Sequence, residues 1–262
     1  MFPILFEWHG FALRTYGVVV ALALLSAVWI AAKEARRRGY APELVYDFVP
    51  YALIAGIVGA RLYYVLFSRP GYFREHPIEI VAFWQGGIGV IGSLIGIFVV
   101  ALWYCRRKGI SSLTFGDILA PGIAFAQVVG QFACLANGDS YGRPTELPWA
   151  IVYTDPRSLA PLGVPLHPIE IYEMFAYLIV FLVVWARRKR TPGGATLMTY
   201  LIAYGVARFA VEFFRGNPAI FAWGIPAAQV FSAVLVAVGL IGLLVLKAKE
   251  REPGTLPDPS PR

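Results

Sequence analysis

Three polar side chains that could take part in catalysis or binding are spaced four residues apart near the end of an apolar segment. Tyr204, Arg208 and Glu212 share one face if this segment is helical. An ionised side chain at the centre of a bilayer costs about 2.5–3.5 kcal/mol on insertion scales, and such residues mark functional sites by default. A structural alternative is that Arg208 and Glu212 neutralise each other or extend to the membrane interface.

Further polar residues lie near the ends of other apolar segments, and the distribution of basic residues predicts that they lie at the same face of the membrane. They are Arg14, Tyr16, Arg61, Gln131, Asn137, Asp139, His167, Glu170, Tyr172, Glu173 and Arg215. Unpaired arginines at the depth of lipid headgroups suit a phosphate, because the guanidinium fork matches phosphate oxygens. The residues indicate an enzyme or a carrier acting on phospholipid, and they do not separate the two.

The composition places these residues in a membrane protein. Of 262 residues, 58% are hydrophobic and 15% are charged, whereas a soluble domain carries about a quarter charged residues. Crossing the hydrocarbon core takes roughly 20 apolar residues. The sequence therefore predicts an all-α polytopic protein with about seven transmembrane helices. The windows are 14–32, 47–67, 86–105, 115–136, 169–186, 195–214 and 225–246.

Basic residues define the expected orientation. Most of them form four clusters, one after each odd-numbered window: Lys33 with Arg36–Arg38, Arg106–Lys108, Arg187–Arg190, and Lys247, Lys249 and Arg251. Because positive residues stay cytoplasmic, we expect the N-terminus outside and the C-terminus in the cytoplasm. The polar residues then lie toward the outer face. The net charge of +7 reflects this topology, and we expect no nucleic-acid partner.

We expect one transmembrane domain, residues 1–249, with external loops at 68–85 and 137–168. The Pro-rich residues 250–262 are typical of a disordered cytoplasmic tail. Cys105 and Cys134 fall at opposite membrane faces, so a disulfide is not expected. The spacing of ligand-type residues predicts no metal site.

The stretch from Gly130 to Trp149, GQFACLANGDSYGRPTELPW, resembles the signature of the prolipoprotein diacylglyceryl transferase family. Further blocks match in family order along nearly the whole chain. They are Arg14–Gly17, Gly59–Arg61 with Tyr64, Phe83–Gly87, His167–Pro168 with Tyr172–Glu173, and Tyr204–Gly205 with Arg208 and Val211–Arg215.

The resemblance implies a multi-pass enzyme of the bacterial cytoplasmic (inner) membrane, with its active site toward the periplasmic face. Such an enzyme moves the diacylglyceryl group of phosphatidylglycerol, a membrane lipid, to the lipobox cysteine in a prolipoprotein signal peptide. Glycerol phosphate leaves, and no cofactor is needed. With this resemblance, the residues that we expect to be catalytic are Arg208, Glu212, Gln131, Asp139 and His167. The expected substrate-binding residues are Arg61, Arg143, Asn137, Gly142, Tyr16, Tyr204 and Arg215.

Three positions depart from the family pattern. Gln131 stands where the family has an arginine, Ile91 where a histidine or tyrosine is frequent, and Cys134 where many members have asparagine. We interpret Cys134 as a small buried residue. His167 is the expected replacement base because imidazole titrates near neutrality, or it is a structural histidine at a helix start. Asp139 and Glu212 are the other candidate bases, and Glu212 is also the expected partner of Arg208.

Three functions remain open on the sequence. The first is an active diacylglyceryl transferase with a rearranged site. The second is a divergent relative that binds phospholipid without transferring it, which Gln131 and Ile91 would fit. The third is a lipid or anion transporter, which would leave the signature stretch unexplained.

Overall fold

A computed structural model describes residues 4–8, 11–82, 84, 86–87, 89–189 and 193–251. Within these ranges the chain is mostly helical. The helices are α1 Thr15–Arg37, α2 Glu43–Tyr46, α3 Phe48–Tyr63, α4 Pro70–Glu75, α5 Val90–Lys108, α6 Ser112–Asn137, α7 Ile169–Arg187, α8 Ala195–Glu212 and α9 Ala227–Arg251. A π-helical turn, Tyr64–Ser68, continues α3, and short 3₁₀ segments cover Pro77–Val81 and Ala222–Gly224.

Two small antiparallel hairpins accompany the helices. Strand β1, Ile4–Trp8, pairs with β2, Phe11–Arg14, directly before α1. Strand β3, Ile151–Val152, pairs with β4, Pro165–Leu166, inside the predicted external loop 137–168. This loop is therefore ordered by backbone pairing, although it has no long helix.

The predicted fold class, an all-α polytopic membrane protein, is confirmed. Among the described residues, six helices are long and apolar enough to cross a membrane, and each coincides with a predicted window. The remaining window, 195–214, corresponds to α8, which is helical but falls outside that group. The number seven and the orientation of the termini stay predictions.

Two helix boundaries differ from the predicted ones. The window beginning at 86 starts too early, because Gly86 and Gly87 have φ of +90° and +71°, and the helix begins at Val90. At the other end of the chain, α9 continues to Arg251. Residues 252–262 of the predicted disordered tail lie outside the described residues.

The chain forms two compact units. One spans Ala35–Phe115, and the other joins the segment up to Glu34 to the segment from Gly116 onward. In the first, Phe48 lies 5.3 Å from Tyr104 and 5.0 Å from Phe115 between ring centroids. In the second, a buried cluster of Ala120, Ala124, Val180, Val184 and Tyr200 packs α6, α7 and α8 together.

A buried carboxylate fixes the start of α8. Asp117 on α6 is fully buried, and its two oxygens accept hydrogen bonds from the backbone N–H groups of Gly194 and Leu197, both at 2.7 Å. The first N–H groups of a helix lack partners within the helix, and the helix dipole favours negative charge there. Asp117 therefore anchors the helix that carries Arg208 and Glu212.

We predict that Asp117→Ala destabilises the protein by about 1–3 kcal/mol, because two buried N–H groups lose their acceptor. The measurement is thermal unfolding in detergent. Asp47→Ala is the matched control: Asp47 pairs with Lys108 at the surface, where both side chains are substantially exposed, and such pairs contribute about 0–1 kcal/mol. Equal shifts for the two variants would contradict the anchoring role.

Candidate active site

Four charged side chains form a closed cluster at the end of α8. Glu173 comes from α7, Arg208 and Glu212 come from α8, and Arg215 follows three residues after its end. Arg208 Nη1 lies 2.5 Å from Glu212 Oε2 and 3.2 Å from Glu173 Oε1. Arg215 Nε lies 2.8 Å from Glu212 Oε2, and its Nη2 lies 2.6 Å from Glu173 Oε1.

The expected pairing of Arg208 with Glu212 is therefore confirmed. For Arg215, the expectation of an unpaired arginine is wrong, because it contacts both Glu173 and Glu212. Glu173 and Glu212 are both 2% exposed. Carboxylates this deeply buried require partners, because an uncompensated buried charge is very costly. With two arginines and two glutamates, the cluster has a formal charge of zero.

Arg208 and Arg215 differ in how many of their guanidinium nitrogens remain without a partner among the described residues. Arg215 uses all three of its nitrogens, since Nη1 also donates to Ser140 Oγ at 2.6 Å. Arg208 contacts both carboxylates through Nη1 alone. Within the described residues, its Nε and Nη2 have no partner. Arg208 is thus held in place and still has guanidinium N–H groups to offer a ligand.

The signature loop is hydrogen-bonded onto this cluster. Arg143 N donates to Phe214 O at 2.9 Å, and Gly216 N donates to Tyr141 O at 3.0 Å. These bonds form a short antiparallel bridge between Gly142 and Arg215. A Cβ on Gly142 would collide with the carbonyl oxygen of His167, so only glycine fits this approach.

Arg143 itself is exposed. Its Nε donates to Arg215 O at 3.2 Å, and its terminal nitrogens have no partner in the described part of the chain. Arg143 lacks the carboxylate neighbours of Arg215, so its positive charge is not neutralised by the residues that the structure describes. It is the arginine of this loop best suited to attract an anion.

A second polar group surrounds the end of α6. Asn137 Nδ2 donates to Asp139 Oδ2 at 3.2 Å, and Tyr153 OH donates to Glu170 Oε1 at 2.8 Å. Asp139 Oδ1, Gln131 Oε1 and Glu170 Oε2 are buried, and none of them has a hydrogen-bond partner among the described residues. Buried acceptors without partners mark places where a water or a ligand completes the bonding.

The loop residue Tyr153 is a donor at neutral pH. Burial raises the pKa of its phenol above the ordinary value, and the neighbouring Glu170 carboxylate raises it further. The phenol therefore keeps its proton while it bonds to Glu170. Tyr153 also packs with Ala160 and Leu166 in a small buried cluster that orders the loop.

His167 belongs to an aromatic group. Its Nδ1 lies 3.2 Å from Tyr172 OH, which accepts a hydrogen bond from Trp149 Nε1 at 2.8 Å. Its ring lies 5.3 Å from that of Phe214. Because the Tyr172 oxygen already accepts from Trp149, its own O–H is best donated to His167 Nδ1, which leaves the imidazole proton on Nε2. In this tautomer Nδ1 already accepts a hydrogen bond and Nε2 already carries a proton, so neither nitrogen is available to accept a proton from a substrate.

The remaining predicted residues are not members of the charged cluster. Tyr204 stacks between Tyr177 and Tyr200, at centroid distances of 5.5 and 5.7 Å. Tyr16 is exposed at the start of α1. Arg61 belongs to the other compact unit, where its guanidinium is bound by backbone carbonyls. Cys105 and Cys134 are both free, as expected.

Sequence reasoning did not assign four contributors to the site: Glu173, Ser140, Tyr153 and Glu170. Glu173 and Glu170 had a signal, since each is an acidic residue in the first turns of an apolar helix. Ser140 lies inside the signature stretch, but a serine in a loop is not distinctive. Tyr153 had no local signal, because its contact with Glu170 joins a loop to a helix 17 residues away.

Among the described residues, six helices are long and apolar enough to cross a membrane, and the end of α8 carries a buried ionic cluster; these features are those of a multi-pass membrane protein with a buried polar site. The sequence model of prolipoprotein diacylglyceryl transferase matches residues 3–245. The chain therefore belongs to the prolipoprotein diacylglyceryl transferase family.

Several relatives are named phosphatidylglycerol–prolipoprotein diacylglyceryl transferase. The protein of Bordetella avium is 34% identical over 256 residues, covering 94% of this chain and 95% of that protein. The protein of Clostridium tetani is 32% identical, with 92% of this chain and 96% of that protein covered. The protein of Aromatoleum aromaticum is 35% identical, with coverages of 92% and 94%.

The site geometry makes a prediction about stability. Arg215→Ala leaves Glu173 and Glu212 with one arginine between them, and we expect a loss of about 3–5 kcal/mol. Arg143→Ala removes an exposed side chain from the signature loop and keeps the backbone hydrogen bonds of that loop. We therefore expect the free energy of unfolding to change by less than about 0.5 kcal/mol. Thermal unfolding of both variants in one detergent makes the comparison. If Arg143→Ala were the more damaging of the two, the assignment of roles would be wrong.

Proposed function

We propose that this protein transfers the diacylglyceryl group of phosphatidylglycerol to the lipobox cysteine of prolipoprotein signal peptides and releases glycerol phosphate. Family membership over nearly the whole chain supports this. The observation that carries the proposal is the bonding of the signature loop onto the ionic cluster, through Arg143 and Arg215. The motif that characterises the family and the costly buried charges thus form one site.

The reaction requires two events at that site. The cysteine thiol loses its proton, since the thiolate is the nucleophile. Its sulfur then forms a thioether bond to the glyceryl carbon, and the bond from that carbon to the phosphate oxygen breaks. The leaving oxygen takes the bonding electrons, so negative charge increases on the phosphate. No redox change occurs, and the released proton needs an acceptor.

Arg143 and Arg208 are the residues we assign to the phosphate. Both have guanidinium N–H groups that no described residue occupies, and Arg208 is already oriented by two carboxylates. Donors fixed in advance stabilise developing charge without reorganisation, and they act more strongly away from water. Arg215, Glu212 and Glu173 hold the loop and Arg208 in position.

We assign the role of acceptor for the thiol proton to Asp139. Its Oδ1 is buried without a partner among the described residues, and Asn137 holds the other oxygen. A carboxylate with a free acceptor oxygen can take a proton directly. His167 is the weaker candidate, because Tyr172 occupies its Nδ1.

The other binding assignments stay predictions. Gly142 brings the loop close to His167, and Gln131 offers its buried Oε1 where the family has an arginine. Tyr16 and Tyr204 could bond to the lipid headgroup. We place the protein in the bacterial inner membrane with the site toward the periplasm, on the strength of the distribution of basic residues.

The test is a reconstituted reaction. Purified protein is mixed with phosphatidylglycerol vesicles and a lipobox peptide, and both the thioether peptide and released glycerol phosphate are measured. A peptide with serine in place of cysteine is the control and should give neither product. Binding of the lipid without either product would refute transfer and support the phospholipid-binding alternative.

A prediction separates the two candidate bases. Asp139→Asn removes the acceptor but keeps the shape, and we expect kcat to fall by about 10²-fold or more with KM for the lipid nearly unchanged. His167→Gln should cost less than about tenfold, since the imidazole acts mainly through packing. The measurement is the steady-state rate with each variant. The reverse order would transfer the role of the base to His167.

A second prediction concerns the departure at position 131. If Gln131 is a weakened phosphate ligand, Gln131→Arg preserves or raises the rate of transfer, because it adds a charged donor. Gln131→Leu, of similar size and without polar atoms, is the matched control and should lower the rate. Complete loss of activity in Gln131→Arg would mean that the site is built around glutamine.

A further inference from the structure

Arg61 is the most extensively bonded arginine among the described residues of the unit that spans Ala35–Phe115. It lies in the last turn of α3 and is 8% exposed. Its Nε donates to Ile80 O at 2.9 Å and its Nη2 to Glu79 O at 2.5 Å. Its Nη1 donates to Gly86 O at 2.6 Å and to Gly87 O at 3.1 Å. Four of the five guanidinium N–H groups are thus used by carbonyls.

All four carbonyls belong to one segment, residues 77–87, which we call the arm; residues 83 and 85 lie outside the described residues. Gly86 and Gly87 have positive φ, which non-glycine residues rarely adopt. A Cβ on Gly87 would collide with the ring of Tyr64. The chain leaving the arm is tied down as well, since Gly89 N donates to Ala60 O at 3.0 Å.

The charge of Arg61 has an unusual environment. No carboxylate pairs with it in the described ranges, in contrast to Arg208 and Arg215. Its guanidinium carbon lies 5.1 Å from the ring centroid of Phe73 and 5.9 Å from that of Tyr64. Carbonyl dipoles and aromatic faces therefore compensate the buried charge. To bind a phosphate through two parallel hydrogen bonds, Arg61 would have to break several of its hydrogen bonds to these carbonyl oxygens.

We propose that Arg61 is a positioning residue that folds the arm onto the end of α3, and that it is not a ligand of the lipid phosphate. We call Arg61 and its four hydrogen bonds to the arm the clamp. With the clamp formed, Ile78 is 87% exposed and Trp84 is 70% exposed, whereas Ala82 between them is only 5% exposed. Its effect on catalysis rests on the proposed transferase function, whereas its effect on the arm does not.

Chemical labelling tests the effect on the arm. In the full-length protein with Cys105 and Cys134 replaced by alanine, Ala82→Cys places a thiol at the buried position. We expect Arg61→Gln to raise the rate of maleimide labelling at this thiol by at least about tenfold, because buried hydrogen bonds that hold the arm are lost. Ile78→Cys is the accessible reference and should label equally fast with either residue at position 61.

Two further variants keep the test decisive. Arg74→Gln removes an exposed arginine next to the arm and should leave labelling unchanged. Gly87→Ala keeps Arg61 but sets a methyl group against Tyr64. It should therefore also raise labelling of the Ala82→Cys thiol, even if Arg61→Gln cannot be purified. Unchanged labelling in both Arg61→Gln and Gly87→Ala would overturn the proposal.

Kinetics distinguish the clamp from a phosphate ligand. If transfer is observed, Arg61→Gln should lower kcat while KM for phosphatidylglycerol changes by less than about threefold. Arg61→Lys keeps the charge but lacks the fork, so it should not restore the rate. A large rise in KM with slow labelling, rescued by lysine, would make Arg61 a phosphate ligand. The labelling result holds even if the protein proves unable to transfer.

Discussion

Glu173 and Glu212 each share their negative charge between the same two arginines, and this sharing joins three separate parts of the chain. Glu173 belongs to α7, Arg208 and Glu212 to α8, and Arg215 extends the cluster to Ser140 of the signature loop. Buried carboxylates need these partners, so the packing of α7 on α8 and the course of the loop are coupled to one electrostatic requirement. Asp117, at the opposite end of α8, fixes the same helix by a different means.

The charge balance explains how such a site can be both stable and reactive. The cluster is formally neutral, so it does not hold excess charge away from water. In the proposed mechanism, the phosphate is bound by Arg143, which has no carboxylate neighbour among the described residues, and by the nitrogens of Arg208 that no described residue contacts. In the proposed mechanism, Asp139 accepts the proton through its Oδ1, which is buried without a partner among the described residues. Arg61 is the contrasting case, because backbone carbonyls use four of its five guanidinium N–H groups and the role that we propose for it is structural.

Much of this was accessible from the sequence. Apolar windows predicted the membrane helices because helix length is set by the bilayer, and the spacing of four predicted the pair Arg208–Glu212. The contacts of Arg215 with Glu173 and Ser140 were not predictable, since they join residues 42 and 75 positions apart. For the same reason the sequence showed no partner for Arg215. The hydrogen bonds of Arg61 depend on the turn at Gly86 and Gly87, which no periodic pattern describes.

The central claim is that the ionic cluster and the signature loop form a working transferase site. The most direct measurement is complementation of a bacterium whose own diacylglyceryl transferase can be switched off, scored by the diacylglyceryl-modified lipoprotein in its membrane. We expect that the wild-type chain restores modification and that Arg208→Ala, inserted at an equal level, does not. Absence of rescue by well-expressed wild-type protein, or full rescue by Arg208→Ala, would contradict it.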